Sequence, residues 1–250
     1  MLDIQQLSKA FGGVRATDDV SMTFETGSLT AIIGPNGAGK STFFNLITGA
    51  IRPDTGRVML DGRDLVGLSP GDIVDRGIGR AFQVASIFPS LTVEETLLAG
   101  VAAHQNRSGS IVPRFPLDTT REPAERVMSM VGLTDKRGTL AANLSHGDQK
   151  LLDIALALVL EPKVLLLDEP TAGMGPEERW RMIDKVYQLW ETQKITVVFI
   201  EHDMDIVFKI APSIRVLCYG RVLAEGTPRE IRENPAVIEA YLGTELEAAG

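Results

Sequence analysis

A glycine-rich segment at residues 34–42 has the residue types and spacing of a phosphate-binding loop. Its order, Gly-Pro-Asn-Gly-Ala-Gly-Lys-Ser-Thr, fits the pattern G-x-x-x-x-G-K-[ST] and follows a short apolar run. Glycines let backbone N–H groups turn towards phosphate, and a following helix adds partial positive charge at its N-terminus. Lys40 would neutralise charge on the β- and γ-phosphates, and the Ser41 hydroxyl would coordinate Mg²⁺. The predicted phosphate contacts are Asn36, Gly37, Ala38, Gly39, Lys40, Ser41 and Thr42.

Two adjacent acids follow a second apolar run and could divide the work of hydrolysis. Asp168 and Glu169 come directly after Val-Leu-Leu-Leu at 164–167, which reads as a buried strand. Ligands of open α/β sheets bind at the carboxyl ends of the strands. Asp168 would hold Mg²⁺ directly or through water, and Glu169 would orient and deprotonate the attacking water.

Residues 144–149, Leu-Ser-His-Gly-Asp-Gln, form a second candidate anion site and lead into an apolar helical pattern. Ser145, with Asp148 three residues later, resembles a capping box. Gly147 leaves the helix N-terminus open to a phosphate. If the surrounding helices stand apart from the first loop, Ser145 and Gly147 would serve the phosphate of a partner subunit.

The elements that must position these residues predict an α/β fold. Buried strands are predicted at 29–33, 164–167, 195–200 and 214–219, and helices at 40–48, 93–104, 122–131, 146–160, 176–192 and 203–210. This order indicates a mainly parallel core sheet. Alternating polar and apolar residues in 1–28 and 57–61 predict antiparallel strands at one edge.

The strand signal disappears between about residues 84 and 160, so we expect a helical subdomain inserted into a core formed by 1–83 and 161–242. Within it, 105–120 is rich in Gly, Ser, Pro and Arg and is predicted to be a loop. Residues 243–250 are expected to form a frayed tail.

Composition limits the possible partners. The chain has 250 residues, of which 44% are hydrophobic, and its formal net charge is −8, which disfavours a nucleic-acid partner. The single cysteine, Cys218, excludes an internal disulfide and fits a reducing cytosol. The first residues lack the basic stretch and the apolar core of a secretory signal, so we expect the chain to stay where it is made. No apolar run approaches the roughly 20 residues that span a bilayer, so any membrane role is expected to come through a partner.

Taken in order, these segments resemble the ABC transporter ATPases over nearly the whole chain. Residues 144–149 resemble the LSGGQ motif of that family and stand before the Asp168-Glu169 strand, as they do there. The resemblance implies that Phe11 stacks on adenine, that Gln83 contacts Mg²⁺ and the γ-phosphate, and that His202 is the switch histidine. It also makes 172–176 the D-loop. His146, Asp148 and Gly175 depart from the residues that the family often has at those positions.

One branch of the family is matched more specifically. Residues 80–83, 88–93, 105–120, 172–174, 223–228, 234–235 and 240–243 resemble the ATPases of branched-chain and other hydrophobic amino-acid importers. Urea or amide importers and lipopolysaccharide-export ATPases share much of this pattern. A soluble ABC ATPase scaffold and a small-molecule P-loop kinase are alternatives from other classes. The kinase would not need residues 144–149.

The resemblance implies an enzyme that hydrolyses ATP with Mg²⁺ as one half of a head-to-tail dimer. The second ATPase subunit would be identical or a paralogue. Further expected partners are integral membrane permease subunits and a substrate-binding protein. The chain would then lie on the cytoplasmic face of the inner membrane, held there by the permease.

Overall fold

A computed structural model of the chain describes residues 1–81, 87–106 and 118–247. Its strands are β1 (Leu2–Phe11), β2 (Val14–Phe24), β3 (Leu29–Ile33), β4 (Thr55–Leu60), β5 (Arg63–Asp64), β6 (Ile78–Ala81), β7 (Val164–Asp168), β8 (Thr196–Ile200), β9 (Ser213–Cys218) and β10 (Arg221–Gly226). Its α-helices are α1 (Lys40–Ile47), α2 (Pro70–Asp75), α3 (Val93–Asn106), α4 (Asp118–Val131), α5 (His146–Leu158), α6 (Pro176–Gln193), α7 (Met204–Ile210), α8 (Pro228–Arg232) and α9 (Pro235–Glu247). Two 3₁₀ turns lie at Thr134–Lys136 and Ala141–Asn143.

A six-stranded sheet in the order β10-β9-β3-β8-β7-β6 forms the centre of the fold. All its neighbouring strands pair in parallel except β10, which runs antiparallel to β9. Every residue of β3, β7 and β8 is buried. Because parallel strands end at the same edge, the residues after β3, β7 and β8 are brought together there. The predicted parallel core is confirmed.

The predicted antiparallel strands are also confirmed, but they form a sheet of their own in the order β2-β1-β4-β5. Its inward side chains, such as Leu7 and Phe24, share one apolar cluster with Phe43 and Phe44 of α1 and with Ile32 of β3. Helix α1 is thereby fixed from both sides. This packing sets the position of the phosphate loop that precedes the helix.

Between β6 and β7, the regular elements that the structure describes are α3, α4, α5 and the two 3₁₀ turns. Their buried side chains, including Leu97, Met128 and Ile154, belong to the same apolar cluster as Ile33 and Phe199 of the central sheet. The helical segment therefore packs directly on the sheet. Its division from the core near residues 83 and 160 remains a prediction.

Several elements differ from the sequence expectation. Six of the described strands and α-helices were not predicted: β5, α2, β6, β10, α8 and α9. Helix α9 continues to Glu247, beyond the start of the tail expected from residue 243. The loop predicted at 105–120 extends too far at both ends, because 105–106 belong to α3 and 118–120 belong to α4. Residues 107–117 lie outside the described residues. None of the helices within the described ranges is long and apolar enough to cross a membrane.

Candidate functional site

The glycine-rich loop connects β3 to α1, as its sequence pattern requires. Gly39 is the N-cap of α1 with φ 97°, and a Cβ there would lie 2.1 Å from the carbonyl oxygen of Ala16. A Cβ on Gly34 would lie 2.0 Å from the carbonyl oxygen of Leu217. The loop is therefore held between β2 and the end of β9 by contacts that only glycine permits. Asn36, Gly37 and Ser41 are exposed, Gly39 and Thr42 are half-buried, and Ala38 is buried.

The side chain of Lys40 is buried and folds back over its own loop. Its Nζ donates to the carbonyl oxygens of Gly34 at 2.6 Å and Pro35 at 2.9 Å. Burial lowers the pKa of the Lys40 ammonium, while the negative charges of Glu169 and Asp168 oppose that shift. The predicted phosphate-neutralising cation thus lies within the electrostatic reach of both predicted carboxylates.

Asp168, at the end of β7, is paired with an arginine that motif reasoning gave no role. Oδ2 of Asp168 lies 2.7 Å from Nη2 of Arg80 on the neighbouring strand β6, and the two side chains are 6% and 8% exposed. Arg80 also donates through Nη1 to Oδ1 of Asn45 at 2.7 Å, and its guanidinium lies 5.7 Å from the centre of the Phe44 ring. The pair joins two strands to α1 at the edge of the predicted site.

Glu169 and His202 are brought together by the parallel order of β7 and β8. Glu169 Oε1 lies 2.6 Å from His202 Nε2, which is a short hydrogen bond. Glu169 has φ 49°, in the left-handed region that a non-glycine residue adopts only at a cost of about 1–2 kcal/mol. Its backbone N–H donates to the carbonyl oxygen of Ile200 at 3.1 Å. This strained conformation aims the carboxylate at the histidine.

A second buried acid, Glu201, supports this arrangement. Its Oε1 accepts from the hydroxyl of Thr171 at 2.6 Å and from the Thr171 N–H at 3.1 Å. Its Oε2 accepts from the His202 N–H at 3.1 Å. Glu201 therefore links the turn that follows Glu169 to the residue that bonds the Glu169 carboxylate.

The Ser145 element begins α5, and Ser145 is its N-cap as predicted. The Ser145 hydroxyl accepts from the Asp148 N–H at 3.2 Å and donates to Asp148 Oδ2 at 2.7 Å. Gly147 is not open as the sequence suggested. It is buried, and a Cβ there would lie 2.3 Å from Glu178 Oε1. Ser145 is exposed, and its hydrogen bonds within the described part of the chain go to Asp148 rather than to the phosphate loop.

The remaining predicted contacts lie at the periphery. Phe11 ends β1 and is 48% exposed, with Lys9 Nζ 5.7 Å from its ring centre. Gln83 lies outside the described residues. Gly175 is the N-cap of α6 with an ordinary φ of −68°, and a Cβ there would have no neighbour within 4 Å.

Sequence reasoning assigned no role to Arg80, Lys150 or Glu201. Lys150, on α5, is 2% exposed, and its Nζ lies 3.4 Å from the carbonyl oxygen of Glu169. Burial lowers its pKa against the opposing charges of Asp153, Asp168, Glu169 and Glu201. A signal for Lys150 was present in the sequence, because it follows Gly147 by three residues and precedes Ile154 by four, on the apolar face of the helix.

Comparison of the sequence with protein families matches residues 17–172 to the family described as ABC transporter. Residues 221–247 match the family described as branched-chain amino acid ATP-binding cassette transporter. The chain is 38% identical, over 97% of its length and 98% of the relative, to the high-affinity branched-chain amino acid transport ATP-binding protein LivG of Salmonella typhimurium. It is 36% identical, with the same two coverages, to the corresponding protein BraF of Pseudomonas aeruginosa.

Solved structures agree over the same extent. An ATP-binding cassette of an ABC transporter, MJ1267 in its ADP conformation, superposes with a TM-score of 0.86 at 32% identity, covering 97% of this chain and 98% of that one. The dimeric structure of the cassette MJ0796 in a post-hydrolysis state with ADP and Pi gives a TM-score of 0.77 at 25% identity, covering 92% and 99%. With its phosphate loop, paired acids and bonded histidine at one sheet edge, the chain belongs to the ABC transporter family as one of its ATP-binding ATPase subunits.

Proposed function

We propose that this chain powers the import of branched-chain or other hydrophobic amino acids through an integral membrane permease. The observation that supports this substrate class is sequence similarity, both over the full chain and in its C-terminal segment. Relatives named for branched-chain amino acid transport match almost the full length, and residues 221–247 match a segment characteristic of that group. In this proposal the chain is a peripheral subunit on the cytoplasmic face of the membrane, and a substrate-binding protein delivers the amino acid.

The oxygen donors near the loop suit Mg²⁺, which prefers carboxylate, hydroxyl and phosphate oxygens. Ser41 at the start of α1 and Asp168 would hold it, together with Gln83. The Arg80 contact uses Oδ2 of Asp168, so the other carboxylate oxygen is the one we assign to the metal or its water. When bound, Mg²⁺ would neutralise charge on the β- and γ-phosphates.

The residues of the chain divide the remaining chemistry. Lys40 would exchange its contacts with the Gly34 and Pro35 carbonyls for phosphate oxygens, and the exposed ring of Phe11 would stack on adenine. Glu169 would orient a water molecule and take its proton. His202, bonded to Glu169 Oε1, would fix the direction of that carboxylate and contact the γ-phosphate. Ser145 would complete the site of the partner subunit, in a head-to-tail dimer closed by ATP.

The variant Glu169→Gln tests the hydrolytic part of this proposal, because it removes the base with almost no change in shape. Turnover should fall by a factor of about 10² or more, while ATP binding persists. Size-exclusion chromatography with Mg-ATP should then show a stable dimer that Mg-ADP does not support. Glu191→Gln, the same change at an exposed position of α6, is the matched control. Near-normal turnover in Glu169→Gln would remove Glu169 from the role of base.

Uptake by whole cells tests the transport part. Cells carrying Glu169→Gln should lose leucine uptake, whereas cells carrying Glu191→Gln should retain it. Urea uptake, measured in parallel, should not differ between the two strains. Loss of urea uptake with unchanged leucine uptake would reassign the substrate. Failure of the chain to co-purify with a permease from detergent extracts would contradict the transporter assignment.

A further inference from the structure

Two residues near the start of α5 contact both ends of the four-residue turn that contains Glu169. His146 and Lys150 are four residues apart and so lie on one face of the helix. His146 Nε2 lies 3.1 Å from the carbonyl oxygen of Ala172, and Lys150 Nζ lies 3.4 Å from that of Glu169. The Ala172 N–H donates to the same Glu169 oxygen at 3.1 Å, which closes residues 169–172 as a turn. We call His146 and Lys150 the α5 clamp.

In both contacts the α5 side chain is the hydrogen-bond donor and the backbone carbonyl oxygen is the acceptor. A carbonyl oxygen only accepts hydrogen bonds, so His146 Nε2 must carry its proton to make this contact. Lys150 is an almost fully buried cation, and such a group requires acceptors and negative charge around it. Its carbonyl contact and the four acids in its surroundings supply these. The clamp therefore depends on specific polar atoms, which an apolar side chain of similar length could not replace.

The turn at residues 169–172 contains a residue in an unfavourable backbone conformation. Glu169 is held at a φ of 49°, and such a residue stays there only when its surroundings fix it. On the side away from α5, Glu201 bonds to Thr171 and to the N–H of His202. On the α5 side, the clamp provides the fixing contacts. The direction of the Glu169 carboxylate is therefore sensitive to the position of α5.

Helix α5 also carries the residue that faces the other ATP site in the proposed dimer. Ser145 is the N-cap of α5 and directly precedes His146. His146 and Lys150 follow Ser145 by one and five residues on the same helix, so a displacement of the start of α5 at Ser145 would also displace the clamp.

We infer that His146 and Lys150 are positioning residues that couple the ATP site contacted by Ser145 to the Glu169 base of the same chain, which acts at the opposite site. This inference rests on the head-to-tail dimer of the proposed function. His146 stands where the family often has glycine, which has no side chain to reach Ala172.

Mixed dimers of two differently tagged copies test the coupling. One copy, the reporter, keeps its own phosphate loop and Glu169. The other copy carries Glu169→Gln in every dimer, so hydrolysis occurs only at the site of the reporter. Adding Lys40→Ala to the second copy empties the other site. The readout is the ratio of hydrolysis rates with that site filled and empty, measured at protein concentrations that saturate the rate.

With an intact clamp we expect a ratio of about ten, within the range of measured couplings between sites. Lys150→Met in the reporter should bring the ratio to within about twofold of one, and Lys150→Arg should restore most of it. The matched control is Lys150→Met in the second copy, which has the same composition but places the change away from the working base. There the ratio should stay near ten.

Equal losses for the two placements would show that Lys150 only supports folding or dimer stability, and an unchanged ratio with Lys150→Met in the reporter would overturn the coupling. If Lys150→Met fails to fold, His146→Ala in the same placements decides the question, because His146 is exposed. Absence of hydrolysis in the dimer with an intact clamp and both sites filled would instead count against the proposed function. The two failures are therefore distinguishable.

Discussion

Replacing Arg80 with methionine should strongly destabilise the protein, because it removes the cation that contacts the buried carboxylate of Asp168 directly. The pair is 2.7 Å apart, and the side chains are only 8% and 6% exposed. At an effective dielectric constant of about 20, unit charges 3–4 Å apart attract by roughly 4–6 kcal/mol before the desolvation penalty is considered. Removing one partner of such a buried pair costs about 3–5 kcal/mol. We therefore expect the free energy of unfolding of Arg80→Met to fall by about that amount.

The chain offers a control pair of similar geometry but different burial. Lys163 and Asp61 approach to 2.6 Å, with side chains 61% and 44% exposed. Exposed pairs contribute about 0–1 kcal/mol, so Lys163→Met should have a small effect. Urea unfolding of the apo-protein, followed by the fluorescence of Trp180 and Trp190, measures both changes.

A double variant separates the charge effect from the loss of packing. Adding Asp168→Asn to Arg80→Met removes the second charge and should recover a large part of the lost stability, because both partners are then neutral. If Arg80→Met costs no more than Lys163→Met, the buried pair does not stabilise the fold as argued. If the double variant is as unstable as the single one, the contacts of Arg80 with Asn45 and Phe44 account for the loss.

Three further predictions concern Gly175, Ser145 and Tyr241. Gly175→Asp should be tolerated and gain a few tenths of a kcal/mol in thermal unfolding, because the N-cap has an ordinary φ and open space; a large loss would refute this. Ser145→Arg should spare ATP binding by the monomer yet stop hydrolysis, whereas Ser129→Arg, on the exposed surface of α4, should leave both ATP binding and hydrolysis unchanged. Burial raises the pKa of Tyr241 to about 12, against a hydrogen bond from the Gly34 N–H. The stability advantage of the unmutated protein over Tyr241→Phe should therefore be constant below pH 10 and shrink between pH 10 and 12; a constant difference across that range would show that Tyr241 does not titrate differently on folding.

The parts of the fold predicted correctly from the sequence are those with local signals. Strands β3, β7 and β8 are continuous apolar runs between glycines and charges, and the reactive residues follow them directly. Strand β6 carries no such run, because Gly79 and Arg80 interrupt it. It is a strand because it pairs with β7 from Ile78 to Ala81. A pairing partner more than 80 residues away cannot be inferred from four residues.

The helices near the C-terminus were missed for a different reason. Thr227 caps α8 in a full capping box with Glu230, and α8 and α9 both begin with proline. These signals were visible, but α8 has only five residues, and neither α8 nor the 13-residue α9 shows a clear helical period of apolar residues. Local capping chemistry was therefore a better guide here than hydrophobic periodicity.

At the candidate site, the sequence identified groups that end strands or begin helices and missed those that connect them. Asp168, Glu169 and His202 occupy such positions, and the structure places Glu169 beside His202. Arg80 and Glu201 act through partners 88 and 30 residues away. A motif records which residues are present, whereas the pairing of buried charges depends on the completed sheet.

The glycine at position 147 has two possible physical explanations. The sequence favoured an open phosphate site, since glycine exposes the helix N-terminus. In the structure, Glu178 approaches so closely that a methyl group at position 147 would overlap its carboxylate. Because this carboxylate is the far end of a flexible side chain, a methyl group at position 147 would require Glu178 on α6 to move. Gly147→Ala would therefore displace Glu178 before any partner is bound, so a loss of activity in that variant would not by itself identify a phosphate contact. Ser145 is exposed, but it is also the N-cap of α5 through its hydrogen bonds with Asp148. The loss of this cap costs about 0.5–2 kcal/mol of stability, so a substitution at Ser145 reports on the partner site only when the unfolding of the variant is measured beside its activity.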